Sequence, residues 1–225
     1  MDLLATIFQC IALVVAIRYF TRRKEGLYFL IYIATWLIDF TVIIFISKYF
    51  KVVKREFANS QFIVEISGAA ASVVEFACFS FFFYKVLKFR TNRNVVKILP
   101  IAYAFPVTLF IIKLSRGVSV AEVIHLSYLV SSITLCLLVI PCMLYYYELF
   151  RKDGTENLFQ KPSFIVISSF LLYCVLAIPF FLLLEEVIES NKTVLKFGFA
   201  IHLSSFCLLF LALTRSFNMN KSLID

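Results

Sequence analysis

"SVVEFACFSFFFYKVLKFR", residues 72–90, is an apolar run that keeps one carboxylate, Glu75, and closes on Lys85, Lys88 and Arg90. Its reading decides the solvent of the whole chain. The run is typical of its surroundings: the 225 residues are 62% hydrophobic and 16% charged, with 27 Phe and 11 Tyr. A soluble domain is close to half apolar and a quarter charged. This much apolar surface has no core to hide in. The solvent is therefore lipid, and the length suits one membrane domain.

A spanning helix needs about 20 mostly apolar residues. Seven stretches meet that requirement: 3–20, 27–48, 62–84, 96–114, 123–147, 163–184 and 195–214. The gaps between them are short, and several hold turn formers such as Gly26, Gly117, Gly154 and Asn191. No repeat, low-complexity tract or linker interrupts them. The expected fold is an all-α bundle of seven transmembrane helices forming one domain, residues 1–225. The first stretch is read as a retained helix, because only Asp2 precedes it and no A-x-A-like cleavage site follows. Pro106, Pro141 and Pro179 fall inside spans, where neighbouring helices satisfy the carbonyls they free.

Charge sets the orientation. Arg18, Arg22, Arg23 and Lys24 follow the first span, and Lys85, Lys88, Arg90, Arg93 and Lys97 join the third to the fourth. With Arg151, Lys152, Lys161, Arg215 and Lys221, this side holds 14 of the 22 basic residues. The side richer in Lys and Arg is cytoplasmic, so the N-terminus is expected outside and the C-terminus inside. The formal charge of +8 is accounted for in this way, and nucleic acid is not an expected partner. Phe81–Tyr84 and Tyr145–Tyr147 fall at the same ends, where interfacial aromatic belts form.

The motifs exclude more than they assign. The cysteines (Cys10, Cys78, Cys136, Cys142, Cys174 and Cys207) form no CxxC pair and read as small apolar side chains. Neither HExxH nor GxSxG occurs, and there are only two histidines, which argues against an enzyme. Glu122 and His125 form a single Glu-x-x-His at a span end, short of the two copies a di-metal site needs. No metal is expected.

Intramembrane polar groups are the candidate functional residues, because each costs free energy and faces the bundle interior or a wet cavity. Gln9, Asp39, Glu75 and His202 lie well inside spans one, two, three and seven. At a rise of about 1.5 Å per residue, Asp39 lies ~13 Å and His202 ~10 Å below the outer span ends, and Gln9 is at a similar depth. Glu65, Glu122 and His125 sit at or near the outer rim. These six are expected to line one pocket opening outward, with Glu75 deeper, in the cytoplasmic half. Gly68, Ala71, Ser72, Glu75 and Cys78 recur at three- and four-residue steps, a stripe that brings helix backbones close together. Glu75 is thus expected on a packed face with a hydrogen-bond partner on a neighbouring helix. Similar stripes run through Tyr32, Thr35 and Asp39, and through Gly198, His202 and Ser205. Span five carries Ser127, Ser131 and Thr134 on one face and His125, Tyr128 and Ser132 on the next.

"VVEFACFSFFFYKVLK", "QKPSFIVISSFLLY" and "IHLSSFCLLFLAL" resemble the third, sixth and seventh spans of a family of small bacterial seven-span proteins of uncharacterised function. The implied matching positions are Glu75, Pro162, Tyr173 and His202. The resemblance implies a multi-pass protein of the bacterial inner membrane and no known activity. More distantly, the chain resembles seven-span sensory modules fused to bacterial kinases, but it has no output domain. Microbial rhodopsins share the topology, yet their retinal needs a lysine within the last helix. Here Lys196 stands only at the outer edge, so no retinal or other cofactor is expected.

The function expected is a sensory or small-ligand-binding module, with Gln9, Asp39, Glu65, Glu75, His125 and His202 as ligand-binding residues. A cytoplasmic or membrane partner would read its signal, because the loops are short. The alternative is a small transporter or channel for a solute or ion, although no inverted repeat is visible.

Overall fold

The computed structural model describes the backbone of residues 2–53, 57–151, 157–190, 192–219 and 222–224. Side chains are described for 6–24, 26–46, 62–151, 157–182, 197–219 and 222–224. Seven long helices follow one another: α1 (Asp2–Arg22), α2 (Leu27–Val53), α3 (Phe57–Val86), α4 (Arg90–Ser115), α5 (Val120–Arg151), α6 (Pro162–Ser190) and α7 (Lys192–Asn218). Short 3-10 turns, Lys24–Gly26 and Leu158–Gln160, lie in the α1–α2 and α5–α6 connections. All seven apolar stretches fall inside these helices. Six of them, Leu27–Ile46, Phe62–Val86, Arg90–Ser115, Val120–Arg151, Pro162–Leu182 and Phe197–Asn218, are long and apolar enough to cross a membrane. The chain is a multi-pass membrane protein. Helices α4, α5 and α6 continue through Pro106, Pro141 and Pro179.

Six helices close a ring in the order α1, α2, α3, α5, α6, α7, with α7 returning to α1. The seventh, α4, lies outside the ring against α3 and α5. Its outward face shows the character of the solvent: Ile101 and Phe105 are 74% and 75% exposed. In water a patch of this kind would be a liability; in lipid it is an ordinary surface.

Aromatic rings fill the interior. Phe79 of α3 stacks on Phe170 of α6 at 3.8 Å between centroids. Tyr32 of α2 packs edge-on against Phe79 and stacks on Phe210 of α7. Phe29 meets Phe82 and Phe217. The aromatic clusters expected at the interface are therefore divided. Phe81 and Tyr147 look outward, whereas Phe82 and Phe83 are core residues. Tyr145 bonds Ser163 and Tyr146 bonds Ser168, tying α5 to α6. The helical repeat of 3.6 residues can turn only part of a consecutive run toward lipid. Among the cysteines, Cys78, Cys142, Cys174 and Cys207 are buried, while Cys10 and Cys136 face outward.

The α3–α4 corner depends on a residue from a third helix. Phe89, at the N-cap of α4, supplies no side-chain cap. Glu148 of α5 takes that role. It is buried and accepts hydrogen bonds from Lys88 N (2.7 Å), Phe89 N (3.0 Å) and Asn92 Nδ2 (2.9 Å). Helix starts leave free N–H groups, and here one carboxylate gathers those of the corner and fastens it to α5. At the opposite end, Glu122 forms a capping box with Ser119 at the start of α5.

The small stripe of α3 has two fates. Ser72 is buried and bonds Ser131 of α5 at 2.9 Å, a close helix contact. Gly68 is different: a Cβ placed there would meet nothing within 4 Å. Tight packing in this part of the bundle is at Gly198, whose added Cβ would come 3.1 Å from Phe180 of α6. Ser72→Leu should therefore lower the thermal midpoint in detergent, and Gly68→Leu should leave it nearly unchanged. Glu148→Ala should cost about 1–3 kcal/mol by stranding buried donors, with Glu148→Gln intermediate; thermal and denaturant unfolding of the purified variants checks the order.

Candidate ligand-binding cavity

Gly68 opens into a cavity of about 320 Å³ between α2, α3, α5, α6 and α7. It lies in the half of the bundle nearest the α2–α3, α4–α5 and α6–α7 connections, away from the basic corner at Glu148. Helix α2 contributes Trp36, Asp39 and Phe40; α3 contributes Glu65 and Gly68; α5 contributes Ser127, Tyr128 and Ser131. Phe181 of α6 and Phe199, His202 and Phe206 of α7 complete the wall. Among the described residues no lysine or arginine is in the lining.

Both carboxyls are held by serines on neighbouring helices. Ser67 Oγ donates to Asp39 Oδ1 at 2.6 Å, joining α3 to α2. Ser127 Oγ donates to Glu65 Oε2, joining α5 to α3, and the Tyr128 hydroxyl also bonds Glu65. Asp39 and Glu65 share the cavity wall. His202 lies in an aromatic box, stacked on Phe180 at 5.2 Å and edge-on to Phe181 at 5.1 Å. Its Nδ1 is buried and has no hydrogen-bond partner, and Trp36 Nε1 is in the same condition. Buried polar atoms are normally paired, and both of these belong to residues of the cavity wall.

Of the six ligand-binding residues expected from sequence, the cavity brings together Asp39, Glu65 and His202. Glu65 is buried in the cavity wall. Gln9 is fully buried on α1, with both side-chain polar atoms unpartnered, but it is not in the wall. His125 is exposed and outside the cavity. Glu122 serves the capping box instead. Glu75 lies deeper among Tyr32, Tyr173, Cys78 and Cys174. It is 2% exposed, on the packed face as expected. The expected hydrogen bond is not made: the Tyr32 hydroxyl lies beside the carboxyl, yet neither it nor Glu75 Oε1 has a partner in bonding geometry.

Sequence reading missed Trp36 and the phenylalanines of the wall. A signal for Trp36 exists, since it stands three residues before Asp39 and so shares its helix face. Phe199 and Phe206 stand three before and four after His202 by the same rule. Among the described residues no group of three or more His, Cys, Asp or Glu converges as metal ligands do. No protein-family model, curated protein or solved structure matches the chain.

Glu75 and the cavity residues give contrasting expectations. Because Glu75 Oε1 has no bond to lose, Glu75→Leu should be neutral or stabilising. Gly68→Phe should also fold normally, while filling the cavity. A drop in the unfolding midpoint of Glu75→Leu as large as that of Glu148→Ala would show that the carboxyl has a structural partner.

Proposed function

We propose that this protein is a sensory or small-ligand-binding module of the membrane, with seven spans, its N-terminus outside and its cavity opening outward. The single observation that carries the reading is the cavity itself: about 320 Å³, with Asp39, Glu65 and His202 among aromatic residues in its wall. Pockets for small molecules are apolar enclosures from about 300 Å³ upward with a few placed polar groups. Helix α1 supports the seventh span, because it is 21 residues long and packs on α2 and α7. The basic residues around the Glu148 corner support a cytoplasmic position for that end. The cavity then faces outside, and a cytoplasmic or membrane partner at the basic end reads the state of the bundle. The bacterial inner membrane is the compartment this reading implies.

Transport of a small solute is the second reading. Glu75 favours it: a buried carboxyl without a structural bond, deeper than the cavity, is the kind of group that relays ions or protons.

Two measurements test the proposal. Reporter fusions should place the 21–26, 88–96 and 151–161 connections in the cytoplasm; a C-terminal tail accessible from outside would sink the orientation. Trp36 is the only tryptophan, so its emission reports on the cavity. Acrylamide added to the outer face of oriented vesicles should quench it, and Gly68→Phe should protect it. Quenching only by brominated acyl chains would mean that the cavity opens to lipid.

A further inference from the structure

The wall of the cavity has a chemical bias that names a class of ligand. On one side stand Asp39 and Glu65, and among the described residues no lysine or arginine in the lining offsets them. Their serine partners leave room for a counter-charge: among the described residues Asp39 has one hydrogen bond, through Oδ1. Around them are ring faces. Trp36 contacts Phe40 and Phe206 at 6.5 and 5.1 Å between centroids, and Tyr128 contacts Phe181 at 6.0 Å. Ring faces attract cations, more so where water is excluded, and carboxyls in an apolar enclosure gain from a paired cation. Among the described residues of the wall an anion would find no basic partner. A bare metal ion would need converging ligands, which the described residues do not offer. An organic cation suits both halves of the wall, its charged head between the carboxyls and its apolar body against the rings.

Resting on the ligand-binding reading above, we propose that the cavity selects small organic ammonium compounds, protonated or quaternary amines with an aromatic or branched apolar body. Asp39 and Glu65 supply charge recognition, and the aromatic wall supplies affinity for the body.

The probes are benzyltrimethylammonium and its uncharged isostere neopentylbenzene, which share shape and differ in charge. Each is titrated against the full chain in nanodiscs, with Trp36 emission as the signal and Gly68→Phe as the blocked control. The expected result is saturable binding of the cation at least tenfold tighter than that of the isostere, with neither probe saturating the blocked variant. Asp39→Asn and Glu65→Gln, each checked for an unchanged unfolding midpoint, should each reduce the ratio of cation to isostere affinity severalfold. Equal or tighter saturable binding of neopentylbenzene would overturn the ammonium preference and leave the cavity a ligand site. Saturation by neither probe would overturn both the preference and the ligand-binding reading on which it rests. A cation preference unchanged in both carboxyl variants would overturn the assigned role of Asp39 and Glu65.

Discussion

A helix bundle dissolved in lipid gains little by turning apolar side chains away from its solvent, because lipid tails are as apolar as leucine. What holds such helices together is close packing and the few polar bonds between them. Here the packing is aromatic. Phe79 on Phe170, Tyr32 between Phe79 and Phe210, and Trp36 on Phe206 join α2, α3, α6 and α7 through the middle of the ring. Many of the polar bonds lie along α5: Glu65 to Ser127, Ser72 to Ser131, Tyr103 to Thr134, Tyr145 to Ser163 and Glu148 to the α3–α4 corner, while Ser67 to Asp39 joins α3 to α2. The arrangement of the rest follows from these two sets of contacts, including the place left empty between them.

That empty place explains why a carboxylate-rich cavity can exist at all. Asp39 and Glu65 each bind a serine on the next helix, so they help to assemble the bundle while standing in the cavity wall. Gly68 keeps the space open, since it contributes no side chain where one would fit. Glu75 stands apart from this pattern. It is buried as deeply as any core residue, yet the Oε1 atom of its carboxyl makes no hydrogen bond. It packs among Tyr32, Tyr173, Cys78 and Cys174 all the same, so it fills space in the core without an Oε1 hydrogen bond to hold it there.

Much of the architecture was legible in the sequence because each helix is one long apolar run between charged turns. The helices are longer than their apolar parts, however. The expected fourth span began at 96, whereas α4 starts at Arg90, and its polar first turn is helical because Glu148 satisfies the corner from a helix nearly 60 positions away. No local pattern announces a bond of that reach. Site residues divided in the same way. Asp39 and His202 stood out as polar groups in apolar helices, and they do meet. Gln9 and His125 stood out equally and do not join them, because helical spacing fixes a face within one helix but not which neighbour that face meets. The aromatic wall went unread because Phe is everywhere in this chain, and only the fold separates a ring that meets lipid, like Phe105, from one that borders the cavity, like Phe206.

Helix α5 touches both ends of this design. Near its start, Ser127 and Ser131 border the cavity; near its finish, Glu148 gathers the amides of the α3–α4 corner. The two points are separated by roughly 30 Å at about 1.5 Å per residue. A rod fastened at both ends behaves as a pushrod: sliding or rolling it at the cavity must either carry the distant corner along or break the three bonds that Glu148 holds. Since the main neighbours of α4 among the described residues are α3 and α5, it is the part of the bundle freest to follow, and its basic first turn is the surface on which such a movement would show.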